Sequence, residues 1–252
     1  MVTELIDEVA VQLYSVRDAV QQDLEGTLER LHDLGYRGVE LAGFGGAKPE
    51  RWSHLLLSNH LTPVAMHVDY QRLDQNLERA LADADVIGSP VLVLPWIPEQ
   101  LRTTQAAWIE MAHWMNRVGE RVREQGKRFA YHNHAFEFDK VGAAATGYDL
   151  LVQSTDPALV EFELDIFWAA KADQSVPDLA KRLGKRMTLC HVKDMTGDEE
   201  RTFAPVGGGV LPWKTWLDLL PVQALIVEQD ACADPDPFNC LKSSIDYLKS
   251  GI

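Results

Sequence analysis

The chain has 252 residues, 46% of them apolar, and a formal net charge of −14. That length suffices to bury one large core and is common for an α/β barrel. The acidic balance argues against a nucleic-acid binder and against an anionic membrane surface, because both select basic faces.

The opening "MVTELIDEVAVQLY" is acidic and lacks the basic-then-apolar order of a secretory signal. No run reaches the roughly 18 apolar residues of a spanning helix, so a soluble, cytoplasmic protein is expected. Short β-branched runs then recur as predicted strands at 9–16, 38–43, 63–68, 91–96, 128–134, 160–168, 187–194 and 224–230. Between them lie amphipathic stretches such as "DLEGTLERLHDLG", with leucines at 24, 28, 31 and 34 and Gly35 at the C-cap; the longest, 103–126, closes on Gly126. No linker or low-complexity block interrupts the series. Eight βα units predict an α/β fold, a single (β/α)8 TIM barrel over residues 1–252, with a doubly wound open sheet as the structural alternative. Cys190, Cys232 and Cys240 are odd in number and lack a CxxC spacing, which predicts reduced, structural thiols.

Barrel strands read as apolar runs, so their polar residues are informative. Gln12, Glu40, His67, Trp96, the 132–137 cluster, Asp165, His191, Lys193 and Glu228 all fall near predicted strand C-termini, which converge on one face of a barrel. Asp165, His191 and Glu228 come from the last three strands. Carboxylates plus an imidazole suit Mn2+, Mg2+ or Co2+, with Zn2+ as a further choice. A fourth ligand is expected from strand five, where His132, His134 and Glu137 stand. A lone strand-end acid is more often a helix cap. Four such groups on four consecutive strands are harder to explain that way, since buried charges without partners are disfavoured.

The letters "HNH" at 132–134 suggest a nuclease, but they lie on a strand outside a ββα metal setting, in an acidic chain. No G-x-S-x-G elbow, phosphate-binding Walker loop or dinucleotide fingerprint follows a strand. "PVGGGVLPW" after strand seven either cradles a substrate oxyanion through backbone N–H groups or is a glycine turn. Lys193 shares the strand face of His191 and would hold a substrate oxygen or phosphate, or pair with Asp194 or Glu228. His67 and Gln12 are candidate substrate hydrogen-bond partners, Trp96 and Trp168 candidate walls for a sugar face. Glu40 reads as structural.

In order and spacing, "LGYRGVEL", "AYHNHAFEF", "ELDIFW", "CHVKD", "PVGGGVLPW" and "IVEQD" resemble the xylose-isomerase-like TIM-barrel superfamily of sugar and sugar-phosphate isomerases and epimerases. The resemblance covers nearly the whole chain. It implies one divalent metal held by residues of strands five to eight, matched here by Asp165, His191 and Glu228. At the strand-five position this chain has His132, Asn133 and His134 instead of a Glu-Asn-His-like triplet. Its "YHNHxxEF" form is similar to a subgroup that includes inosose dehydratase-like and 3-keto-glycoside-processing enzymes. Glu137, or one of the histidines, is then the fourth ligand. A metal-chelated carbonyl and hydroxyl would acidify the adjacent C–H and stabilise an enediolate. His132 is the expected acid/base and His134 a substrate contact; Glu228 is a ligand that doubles as acid/base on the opposite face. The expected activity is isomerisation or epimerisation of a sugar or related polyhydroxylated carbonyl compound. A lyase or dehydratase is the close alternative; an AP-endonuclease-like nuclease and a non-catalytic partner subunit are remote ones. A homo-oligomer is compatible with the composition.

Overall fold

Residues along each strand alternate between two cores. Ala10, Ala65, Val91, Val93, Ala130, Leu189 and Ile226 pack together inside the barrel. Val11, Val39, Met66, Leu92, Leu94, Tyr131, Leu164, Cys190 and Val227, one position away, join the larger cluster beneath the helices. This period of two is the pleat of a strand buried on both faces. The structure, a computed structural model, describes residues 9–142 and 145–250.

Eight parallel strands close the barrel: Ala10–Gln12, Gly38–Leu41, Thr62–His67, Val91–Leu94, Arg128–His132, Glu161–Asp165, Met187–Val192 and Ala224–Val227. They are called strands one to eight below. Each neighbours the next, and strand eight closes on strand one through Ala10↔Ile226 and Val11↔Val227. The predicted (β/α)8 TIM barrel is the observed fold, and the open sheet is excluded by this closure. The long predicted helix is Gln105–Glu124, capped by Thr104, whose hydroxyl accepts from Ala107 N at 3.1 Å. No helix among the described residues is long and apolar enough to cross a membrane.

The strands end earlier than predicted, and in two of them a polar side chain turns the backbone. The Gln12 side chain accepts from Tyr14 N and opens a 3-10 turn over Leu13–Val16. Asp165 accepts from Trp168 N at 2.9 Å and starts the Ile166–Lys171 helix. Strand four stops at Leu94, leaving Trp96 in the loop, 45% exposed. The cysteine expectation is also corrected: Cys232 and Cys240 form a disulfide, and Cys190 is the buried free thiol. The loop after strand eight folds back onto the final helix, Pro237–Lys249, a closure that the eight-residue separation did not signal.

Candidate metal centre

Alternation that buries Ala10, Ala65, Ala130, Leu189 and Ile226 inside the barrel sends the residues two positions later into its top layer. Those residues are Gln12, His67, His132, His191 and Glu228. Register then sets the neighbours: Gln12 lies beside Glu40, His132 beside Glu163, and Asp165 beside His191. Side chains distant in sequence thereby meet in one buried layer.

Two groups in this layer could hold a metal ion. His132, Asp165, His191 and Glu228, one from the end of each of strands five to eight, bring donor atoms within 4.8 Å of one another; His67, His132, Glu163 and His191 do the same. His132 and His191 belong to both. His132 faces Glu163 Oε2 through Nδ1 at 3.1 Å and Asp165 Oδ2 through Nε2 at 3.9 Å. His191 Nδ1 lies 2.9 Å from Glu228 Oε2 and its Nε2 lies 2.6 Å from Glu40 Oε2. Lys193, fully buried, directs Nζ at Glu228 Oε2 (2.5 Å), Asp230 Oδ2 (2.7 Å) and Asp165 Oδ2 (2.8 Å). Asn133 clamps Asp165, accepting from its N–H at 3.0 Å and donating to its carbonyl at 3.3 Å.

The charges set the protonation pattern. Burial alone would lower the His67 pKa, but Glu40 and Glu163 outweigh it and push it up to about 10. His191 is likewise raised against burial by Glu163, Glu228 and Glu40. His132 goes the other way: burial, reinforced by His191, brings it down to about 3, so its ring is neutral at pH 7. Burial and nearby His132 bring His134 down to about 2. Burial lifts Asp165 to about 6 against the pull of Lys193 and His191. Lys193 overcomes burial through Asp165, Glu228 and Asp230.

Lys193 reaches Asp165, Glu228 and Asp230, while Glu40 and Glu163 face His67, His132 and His191. Glu163 Oε1 is buried without a hydrogen-bond partner. These five carboxylates outnumber the lysine and the two raised imidazoles, His67 and His191, and with His132 among them they fit a divalent cation by charge and by donor type.

Above the layer opens a cavity of about 490 Å3, lined by Tyr14, Gly43, His67, Asp69, Trp96, His132, His134, Glu228 and Asp230 among others. Among the expected substrate contacts, His67, Trp96 and His134 line it. Gln12 does not: it is fully buried, and its Nε2 donates to Glu40 Oε2 at 2.8 Å. Trp168 packs on Phe203 and His134 instead of lining the cavity. Lys193, expected to hold substrate oxygen or phosphate, is held among three carboxylates and does not line it either.

Two carboxylates lie elsewhere than the sequence suggests. Glu137 stands apart from both metal-competent groups: Tyr131 Oη donates to its Oε1 and His134 N to its Oε2 at 2.8 Å. Tyr131 points into the outer core, and Glu137 follows it behind strand five, away from the top layer. Glu40, read as structural, lies in the layer, bonded to Gln12 and His191. Glu163 was missed, although it sits two residues before Asp165 and so on the same face of strand six.

Comparison with known proteins gives the same fold. Over 240 residues the chain is 27% identical to an inosose dehydratase of Geobacillus kaustophilus, covering 90% of this chain and 64% of that protein. The chain thus spans less than two thirds of that relative's length. A sugar phosphate isomerase/epimerase from Parabacteroides distasonis superposes with a TM-score of 0.84 at 21% identity, covering 96% of this chain and 97% of that one. The IolI protein with a bound zinc atom superposes with a TM-score of 0.70 at 12% identity, covering 97% and 99%. Residues 28–225 match the sequence model of the xylose isomerase-like TIM barrel, and the chain belongs to that family.

Proposed function

We propose that the chain is a divalent-metal-dependent isomerase or epimerase of a sugar or related polyhydroxylated carbonyl compound. The reading is carried by the cluster of His132, Asp165, His191 and Glu228, whose donor atoms fall within 4.8 Å. Two imidazoles and two carboxylates suit Zn2+, Mn2+ or Co2+ better than Mg2+, which prefers oxygen shells. The zinc of the IolI structure supports this choice by analogy of fold. A bound ion would polarise a substrate carbonyl and stabilise the charge that develops when a neighbouring C–H proton leaves.

The chain's own residues divide the remaining work. Glu163 orients His132 by accepting from Nδ1, which leaves Nε2 as the donor atom. His132 therefore serves as the strand-five holder in place of Glu137, and its expected role as base passes to others. Protonated His67, at the cavity wall, donates to a substrate oxygen. Proton transfer falls to Glu228, just past strand eight, and His134 beyond strand five contacts the substrate, both lining the cavity. Return of the proton to the opposite face gives epimerisation, and return to the neighbouring carbon gives aldose–ketose isomerisation.

A second reading, dehydration or another elimination, is favoured by the identity to inosose dehydratase. The same carbanionic stage expels a β-oxygen substituent instead of taking the proton back. Deuterium uptake with unchanged product formula supports the first reading, loss of water or of an aglycone the second. Either requires Glu228: Glu228→Gln should abolish turnover with an unchanged circular dichroism spectrum, and full activity would refute the assignment. No cleavage of abasic DNA is expected from this acidic chain.

A further inference from the structure

We propose that the cavity takes an uncharged polyhydroxylated carbonyl compound and discriminates against its phosphate esters, with Asp69 as a specificity-determining residue. The proposal rests on the metal-dependent reading for the reacting end of the substrate. Two separate placements of charge carry it.

The first is the cavity wall. Among the described residues no lysine or arginine lines it, whereas Asp69, Glu228 and Asp230 do. Lys193 lies beneath, held by Glu228, Asp230 and Asp165. Arg17 and Arg102 lie over the rings of the lining residues Tyr14 and Trp96, at 4.2 and 5.2 Å, and their guanidinium groups donate to the carbonyls of Tyr14 at 2.8 Å and Ile97 at 3.1 Å. Exposed Asp69 accepts from Arg72 N through Oδ1 at 2.9 Å as a helix N-cap, but the Arg72 guanidinium pairs with Asp83, and no ion pair to Asp69 occurs among the described residues. A phosphate dianion would meet three carboxylates at the wall against one cationic side chain, His67, among the described residues that line it.

The second is the loop after strand seven. In parallel barrels, loops after strands seven and eight commonly bind phosphate through backbone N–H groups. Here "PVGGGVL" closes on the chain's own carboxylate. Asp194 accepts from Met195 N at 2.8 Å, Gly207 N at 2.9 Å and Leu211 N at 3.0 Å. Gly208 N and Val210 N donate to the carbonyls of Pro205 and Met195. A Cβ at Gly209 would fall 2.4 Å from Asp194 Oδ1, so this glycine permits the close approach of Asp194. The loop that could have cradled an oxyanion is filled by an internal one.

The test is calorimetric titration of protein loaded with Zn2+ or Mn2+, its metal content measured, using matched pairs: ketopentoses, ketohexoses and inososes against their phosphate esters. The neutral member should bind at least about tenfold more tightly than its ester. Asp69→Asn, which keeps a good helix cap, should narrow that ratio. Equal or tighter binding of the esters overturns the proposal and leaves the metal-dependent reading standing. Failure of every neutral member to bind metal-loaded protein overturns it too. Neutral binding by a chain that acquires no metal keeps the substrate class and removes the reading of the reaction. An unchanged ratio in Asp69→Asn removes Asp69 as the determinant.

Discussion

One oxygen, Glu163 Oε2, faces three imidazoles: His67 Nε2 at 2.9 Å, His132 Nδ1 at 3.1 Å and His191 Nε2 at 3.2 Å. Its charge decides which nitrogen of His132 carries the proton and which keeps a lone pair. Glu163→Gln should therefore lower metal affinity roughly 10–100-fold, as chelator competition would measure, with the fold retained. Affinity equal to that of the unaltered chain would reduce Glu163 to a packing residue. Of the residues that meet here, Asp165, His191 and Glu228 were legible from their places near the ends of predicted strands. Glu163 was not, because an acid inside an apolar strand carries no mark of which neighbours it will meet. Glu40 was legible as a polar strand end, but its contact with His191 joins strands two and seven, 151 residues apart.

Within strand five, outward Tyr131 joins the outer core and inward His132 the metal-competent layer. Glu137, in the Phe136–Phe138 turn, is buried behind the strand, and burial raises its pKa to about 8 against the opposing effects of Tyr131 and backbone N–H groups. The folded chain then keeps a proton that the unfolded chain loses near the ordinary value of 4.5. Stability from this group is complete below about pH 4.5 and declines as pH rises to about 8. Glu137→Gln should flatten that decline: between pH 5 and 9 its melting temperature should fall less than that of the unaltered chain. Parallel pH profiles would place the proton elsewhere. Helix periods were read closely, 103–126 expected against Gln105–Glu124 observed, because caps and leucine spacing are local signals. Strand ends were overrun at Gln12 and Asp165, where side-chain caps stop the ladder.

Across the molecule, closure of the barrel concentrates negative charge at its open end, and a cation that binds only the folded chain must stabilise it. Metal at about 100 times its dissociation constant contributes about 2.7 kcal/mol. For a chain of this length that corresponds to a rise in melting temperature of about 5–11 °C, read by thermal scans with Zn2+, Mn2+ or Co2+ against a chelator. Identical melting temperatures throughout would sink the metal site.

The sequence by itself determined the barrel, its strand order and the acidic, metal-competent residues near the ends of its later strands, since pleat, helix period and charge are properties of short segments. Only the tertiary structure decided that His132 and not Glu137 joins the donor cluster, that Lys193 neutralises carboxylates, and that Asp194 fills the glycine loop. Those outcomes depend on register and on which side of a strand each residue faces. A shift of one residue reverses that side, and it is fixed when the eight strands close together.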